Sequence, residues 1–314
     1  MAKILINDGI HPTGLKMLQD AGHDVSTTKI EQADLPAQLP AFNAICVRSA
    51  TKVREDLIKL CPDLKVIGRG GVGLDNIDVT YARENGVAVI NTPAASSRSV
   101  AELVFSHAFS VSRSLNKANR QMPTDGNTHF KALKKSYSAG VELKGKTIGI
   151  IGLGRIGCEV AKLGLGIGMN VIGSDISGSN KEISLEIAGT TIPYTIENIS
   201  MDDLLAQSDY ISLHVPSLAK PVLGAEEFAK MKEGAVLLNA SRGGTVDEDE
   251  MLAAIESGKL ASVGLDVFVG EPSPRADILA NPNISLTPHI GASTGEAQEN
   301  IGIELANQLI ELLK

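Results

Sequence analysis

The chain has 314 residues, 43% of them hydrophobic, and its 37 acidic against 29 basic side chains leave a net charge of −8. That length allows two domains with real cores, and the negative balance excludes general binding to nucleic acid or to an acidic membrane surface, so an anionic ligand needs a local cluster of cations. The three cysteines, Cys46, Cys61 and Cys158, form no paired motif, which excludes a disulfide framework or a zinc site and fits a reducing cytoplasm.

Taken in chain order, "KILIND" (3–8) predicts a strand. Its apolar stretch is too short for a signal peptide, and no run approaches the ~18 to 20 apolar residues of a bilayer span. Further strands are predicted at "AICVRS" (44–49), "KVIGRG" (65–70) and "VAVINTP" (87–93). A long helical stretch (96–122) follows, then a polar segment (123–146) expected to be irregular. The strand series resumes with "TIGIIGLG" (147–154), "VIGSD" (171–175), "YISLHVP" (210–216), "AVLLNAS" (235–241), "ASVGLDV" (261–267) and "ISLTPH" (284–289). The last helix (296–314) carries an apolar stripe at Ile301, Leu305, Leu309 and Leu312 and is expected to return to the first domain. Short apolar runs alternating with helices mean parallel sheets. The expectation is an α/β chain of two doubly wound domains, residues 1–97 with 290–314 and residues 98–289.

Ligands of open parallel sheets bind beyond the carboxyl ends of the strands. Arg48, Arg69, Asp175, Arg242, Asp266, Glu271 and His289 all lie at such ends, which predicts one cleft between the domains. In "GIIGLGRIG", Gly152, Gly154 and Gly157 fit G-x-G-x-x-G between a strand and a helix. The first glycine permits the turn, the second lets a pyrophosphate approach, and the third lets the helix pack close. Asp175 ends the next strand, placed to accept ribose hydroxyls, and Ile176 and Ser177 offer no cation for a 2′-phosphate. NAD is therefore expected over NADP.

His289 precedes "IGAST", where Gly291, Ala292 and Ser293 leave room for a flat ligand. Histidine titrates near neutrality and can exchange a proton with an alcohol or carbonyl oxygen. Of the other histidines, His11 and His23 lie near turns, His107 sits in the long helix, His129 in the irregular segment, and His214, at a strand end, is the rival. Asp266 or Glu271, both in "GLDVFVGEP", can orient the imidazole. Arg242, in "NASRGG", can grip a carboxylate bidentately; the alternative is a structural pair with Asp247. Together these equip a chain to interconvert 2-hydroxy and 2-keto acids. No metal ligands stand out.

"GLGRIG" with Asp175, "NASRGG", "GLDVF…EP" and "PHIGAST" resemble the D-isomer-specific 2-hydroxyacid dehydrogenases, and the likeness runs in order along nearly the whole chain. The resemblance implies a flavodoxin-like substrate domain, a Rossmann NAD domain, a closing cleft and a homodimer built around the long helix. It implies that Arg242, Glu271 and His289 are catalytic and that Asp266 lies near the nicotinamide. It extends the cofactor contacts to Val72, Arg155, Ile156, Val215, Pro216, Ala240, Ser241, Gly291 and Ala292. "VRSATKV", "VIGRGGVGLDNID", "INTP" and "ELKGKTIGIIGLGRIG" resemble the branch that oxidises a phosphorylated glycerate. From that branch Arg48, Ser49, Thr51, Gly71, Val72, Gly73 and Asn76 are expected to line the substrate site, with Arg48 on the phosphate. Arg69 is a second cation there, and Lys134 or Lys135 of a partner subunit a third. The chain departs from the family in having no tryptophan, reading "GNTHF" where a GxW is common, and in following "NTP" with alanine and serine where asparagine is common. Other readings are a different small 2-hydroxy or 2-keto acid and an NADH-sensing corepressor.

Overall fold

The computed structural model describes residues 1–314. The chain divides into two compact units, Met1–Ser99 with Ala292–Lys314, and Val100–Gly291.

Unit 1 is a parallel five-stranded sheet of β1 (Lys3–Ile6), β2 (Asp24–Ser26), β3 (Ala44–Val47), β4 (Val66–Arg69) and β5 (Ala88–Asn91), in spatial order β2-β1-β3-β4-β5. That order is flavodoxin-like. The central strands β1, β3 and β4 are buried on both faces and divide their side chains by alternation. Leu5, Ile45 and Ile67 point to one core with Leu35, Leu39, Leu57 and Ile58; Ile4, Ile6, Cys46 and Val66 point to the other. The first core is covered by α2 (Leu35–Gln38), α3 (Glu55–Lys59) and α4 (Val79–Glu84). The second is covered by α1 (Pro12–Asp20) and the C-terminal helix, Gly295–Leu312. That helix does return to the first sheet, and Gly14 lies so close to the Gly302 backbone that no Cβ fits. Its stripe is Ile301, Leu305 and Leu309 continuing to Leu313 at 8% exposure; Leu312 is 46% exposed. The buried ridge advances four residues at a time, so Leu313, not Leu312, completes it.

Unit 2 begins with α5 (Ser97–Ser112), which crosses the unit boundary, and α6 (Leu115–Ser136). The segment expected to be irregular from 123 is therefore helical to Ser136, with Pro123 inside the helix. The single long helix is two, broken at Ser114 with φ +53°, and His129 sits at a kink in α6 with φ −120°. The unit then builds a parallel six-stranded sheet from β6 (Thr147–Ile151), β7 (Asn170–Ser174), β10 (Tyr210–Leu213), β11 (Ala235–Asn239), β12 (Leu260–Leu265) and β13 (Ile284–Leu286), in spatial order β13-β12-β11-β10-β6-β7. The labels β8 (Lys181–Ile187) and β9 (Thr190–Ile196) belong to an antiparallel hairpin that sequence reading missed. Its turn, Ala188-Gly189, has φ of +49° and +80° at both central residues, the type I′ geometry usually signalled by Asn-Gly. The helices α7 (Arg155–Gly166), α8 (Met201–Gln207), α9 (Ala225–Lys230), α10 (Glu248–Glu256) and α11 (Ala276–Ala280) complete the unit. Its strands read as continuous apolar runs because two hydrophobic cores bury them from both sides. No helix is long and apolar enough to cross a membrane.

Candidate active site

The glycine-rich loop opens unit 2. After β6 the chain turns at Gly152 with φ +95°, where a Cβ would stand 2.5 Å from the His214 carbonyl oxygen. Gly157 lets α7 lie directly on the Gly152 carbonyl. Gly154 caps α7 with no side chain in the cap, and the space where its Cβ would be is open. The free N–H groups of a helix start thus face room for an anion. Arg155, exposed, and Ile156, half-buried, begin the helix.

Asp175 follows β7. Its Oδ2 accepts from the Leu153 N–H at 2.8 Å and its Oδ1 from the Ser177 N–H at 2.9 Å. Those backbone donors, Ser177 first, hold its carboxyl below the ordinary 3.8. Each oxygen keeps a further acceptor site for a ribose hydroxyl. Asn198, absent from the sequence reading, fixes the Asp175 backbone by accepting its N–H at 3.0 Å and donating to its carbonyl at 3.2 Å. After β10 come half-buried Val215 and exposed Pro216; the Val215 Cγ1 lies 3.3 Å from the Gly152 Cβ position. The open glycine, the vacant helix cap and the ionised carboxylate fit NAD.

His289 stands on the loop after β13, exposed, with left-handed backbone at φ +54°. Its Nδ1 is 2.8 Å from Glu271 Oε2, so Glu271 is the carboxylate that orients the ring. The other Glu271 oxygen accepts from the Phe268 N–H at 2.9 Å. Asp266, 1% exposed, does different work. Its Oδ1 accepts from Thr287 Oγ1 at 2.7 Å and the Ile290 N–H at 2.8 Å, and its Oδ2 from the Gly291 N–H at 2.8 Å. Histidine in the left-handed region is strained and persists only where the surroundings hold it. Asp266 supplies that hold. The rival His214 bonds Ser212 Oγ through Nε2 at 2.8 Å, while its buried Nδ1 has no partner. Burial pushes its pKa down to about 3, so at neutral pH it stays uncharged.

Arg242 lies on a loop organised by Asn239, a buried residue at the end of β11. Asn239 Oδ1 accepts from the Ser241 N–H at 3.0 Å and Oγ at 2.8 Å, and its Nδ2 donates to the Arg242 carbonyl and Thr245 Oγ1, both at 3.1 Å. Half-buried Ala240 and buried Ser241 begin the loop, and Arg242 Nη1 donates to the Ser241 carbonyl at 2.6 Å. Gly243 rests against the Phe268 carbonyl with no space for a Cβ, which ties the arginine loop to the loop of Glu271. Glu248 adds a second tie by accepting the Val269 N–H at 2.9 Å. Asp247, the structural alternative for Arg242, caps α10 by accepting from Asp249 and Glu250 N–H groups at 3.0 and 3.2 Å.

In unit 1 the expected substrate residues separate into two kinds. Thr51 is buried; its hydroxyl donates to Asp8 Oδ1 at 2.7 Å and accepts from Asn7 Nδ2 at 2.8 Å. Asn76 Nδ2 donates to the carbonyls of Arg48 at 2.7 Å and Thr51 at 2.6 Å. These two side chains brace the loop after β3. Arg48 is half-buried, and its N–H donates to Asp8 Oδ2 at 2.7 Å, while Ser49 is exposed. Arg54 pairs with Asp78 at 3.0 Å. The second loop turns at Gly71, φ +145°, whose missing Cβ leaves room for the Arg69 guanidinium. The Val72 carbonyl accepts from Asn91 Nδ2 at 2.6 Å, and Val72 and Gly73 are half-buried. Ala292, half-buried, accepts Gln298 Nε2 at its carbonyl at 2.6 Å. Lys134 and Lys135 lie exposed on the last turn of α6.

Residues 105–291 match the sequence model of the D-isomer specific 2-hydroxyacid dehydrogenase, NAD binding domain. The chain belongs to the D-isomer specific 2-hydroxyacid dehydrogenase family. Within it, the chain is 39% identical to a hydroxypyruvate reductase of Thermotoga maritima over 317 residues, 99% of this chain and 98% of that protein. It is also 39% identical to a D-3-phosphoglycerate dehydrogenase of Methanocaldococcus jannaschii, over all of this chain and 58% of that protein. A glyoxylate reductase structure from Paecilomyes thermophila superposes with a TM-score of 0.81 at 30% identity, covering 99% of this chain and 95% of that one. As a family member this dehydrogenase is an NAD-dependent oxidoreductase of 2-hydroxy acids.

Proposed function

We propose that this dehydrogenase oxidises 3-phosphoglycerate to 3-phosphohydroxypyruvate, the first step of phosphorylated serine biosynthesis, with Arg242, Glu271 and His289 as its catalytic residues. Bound at the glycine-rich loop, NAD supplies the two-electron acceptor. Glu271 takes the Nδ1–H of His289, which leaves Nε2 bare to receive the proton of the 2-hydroxyl as C2 gives up its hydride. Arg242 grips the substrate carboxylate and fixes C2 and its oxygen relative to that nitrogen. In the reverse direction His289 returns the proton to the carbonyl oxygen.

The phosphate assignment rests on Arg48. Its backbone is pinned at both ends, N–H to Asp8 and carbonyl to Asn76, so the loop presents a guanidinium from a fixed stem, the arrangement a phosphate requires. A second reading, reduction of unphosphorylated hydroxypyruvate, is favoured by the Asp8 carboxylate beneath that loop, whose negative charge weakens the site for a phosphate. Catalytic efficiency on 3-phosphoglycerate against glycerate separates the two. A preference of about tenfold or more for the phosphorylated acid supports the proposal, since a charge-assisted contact contributes about that much; parity refutes it.

A homodimer through α6 goes with this reading. Leu115, Met122 and Phe130, about two helical turns apart along it, are 54%, 44% and 57% exposed, an apolar row that a second copy of the helix would cover.

A further inference from the structure

His107 lies in the middle of α5, 4% exposed, far along the sequence from every motif of the site. Both ring nitrogens are engaged: Nδ1 with Ser285 Oγ and Nε2 with Thr287 Oγ1, each at 2.9 Å. The ring fits because β12 has Gly264 opposite it, where a Cβ would stand 2.6 Å from the His107 Cβ. Thr287, before the His289 turn, in turn donates its only hydroxyl hydrogen to Asp266 Oδ1, and Asp266 receives the Ile290 and Gly291 N–H groups just after it.

Hydrogen accounting fixes the direction of this chain. A carboxylate oxygen already accepting a backbone N–H accepts from Thr287 as well, so the Thr287 hydrogen is spent. His107 Nε2 must then carry a hydrogen and donate to Thr287, and Nδ1 accepts from Ser285, whose other contact, Ser110 Oγ at 3.4 Å, is too long to compete for that hydrogen. We propose that His107 is a positioning residue for the reaction: through Thr287 and Asp266 it holds the left-handed turn that presents His289. Thr287 without that donor retains a hydroxyl free to swing, and Asp266 Oδ1 then shares its place with a mobile partner. The strained turn above it loses the constraint that keeps a non-glycine residue there. A neutral imidazole is what the role needs, and burial lowers the pKa of His107 while Asp266 pulls it back up.

The proposal rests on His289 as the proton-transfer group, and a failure of that reading shows separately, as retained turnover in His289→Asn. Two measurements test the His107 role itself. Long-range proton–nitrogen correlation spectra of histidine-labelled enzyme read the tautomer without any assay of activity; Nε2–H at neutral pH is expected, and Nδ1–H or a charged ring overturns the proposal. The second is a kinetic cycle of His107→Leu, Thr287→Val and their combination. Each single change is expected to lower kcat about tenfold, part of what a misplaced acid–base group loses, with KM for NAD within about twofold. The double variant is expected to be no worse than the poorer single one. His107→Gln and His107→Asn keep the readout should leucine prevent folding. The glutamine amide reaches the Nε2 position and is expected to recover most of kcat, whereas asparagine reaches only the Nδ1 position and is expected to behave like leucine. Additive losses, an unchanged kcat in His107→Leu, or asparagine outperforming glutamine would overturn the assignment.

Discussion

Removing the Arg48 guanidinium separates the two ends of the substrate. In the proposed function Arg48 meets a phosphate remote from the reacting carbon, so Arg48→Ala is expected to remove binding more than chemistry. A charge-assisted hydrogen bond is worth roughly 1.5 to 3 kcal/mol, and the half-buried position of the residue keeps the contact partly screened by water. The expected loss is about 10- to 100-fold in kcat/KM for 3-phosphoglycerate at about 1.4 kcal/mol per factor of ten. The loop itself is expected to stay in place, because Asp8 and Asn76 hold its backbone and not its side chain. Glycerate offers nothing to Arg48 and is expected to lose less than about threefold. Arg242→Ala, which removes the grip beside C2, is expected to damage both substrates by about 100-fold or more. Arg48→Lys keeps charge but not the bidentate fork and is expected to fall between wild type and alanine. The assay is steady-state kinetics of each variant on both acids at fixed NAD. Equal losses on phosphoglycerate and glycerate in Arg48→Ala would refute the reasoning and leave Arg48 a structural residue.

Asp175→Ala is expected to raise KM for NAD and narrow its advantage over NADP; unchanged constants for both cofactors count against the ribose contact. Because the folded-state pKa of Asp175 is depressed below 3.8 by its backbone donors, its ionised form stabilises the fold above that pH and the contribution fades as pH falls through the depressed value. The gap in thermal midpoint between wild type and Asp175→Asn is therefore expected to shrink in acid below about pH 4, and a gap that widens there refutes the linkage. His289→Asn is expected to lose about 100-fold or more in kcat with NADH binding retained, while His214→Asn, replacing an already neutral ring, is expected to be mild; the opposite ranking would reassign the base. Phe130→Asp on α6 is expected to shift the sedimentation coefficient from dimer to monomer, and an unaltered dimer places the interface elsewhere.

Much of this chain is legible before it folds, because some functions need residue types at fixed covalent spacing. A strand, three glycines and a helix specify the phosphate loop by steric necessity, and the carboxylate at the end of the following strand belongs to the same local unit. The alternation of apolar runs likewise specifies parallel sheets, since strands buried from both sides leave no polar face to read. The stretches that resisted reading were those where context overrode propensity: Pro123 inside α6, the Ala-Gly turn of the β8–β9 hairpin, and the ridge that ends on Leu313. Within the site, the residues alone favoured His289 with His214 as its rival and left Asp266 or Glu271 open as its partner. Only packing decides that Glu271 stands beside His289 while Asp266 is engaged by the Thr287 hydroxyl and two backbone N–H groups, and that His214 is desolvated to neutrality. Sequence placed Thr51 and Asn76 at a substrate site, and only the fold shows that their side chains also hold the loop after β3. It passed over His107, whose partners lie more than 170 residues away in the chain. Spacing along the backbone fixes what is local; burial and hydrogen-bond partnership come from distant segments brought together, and those set the role of each polar group.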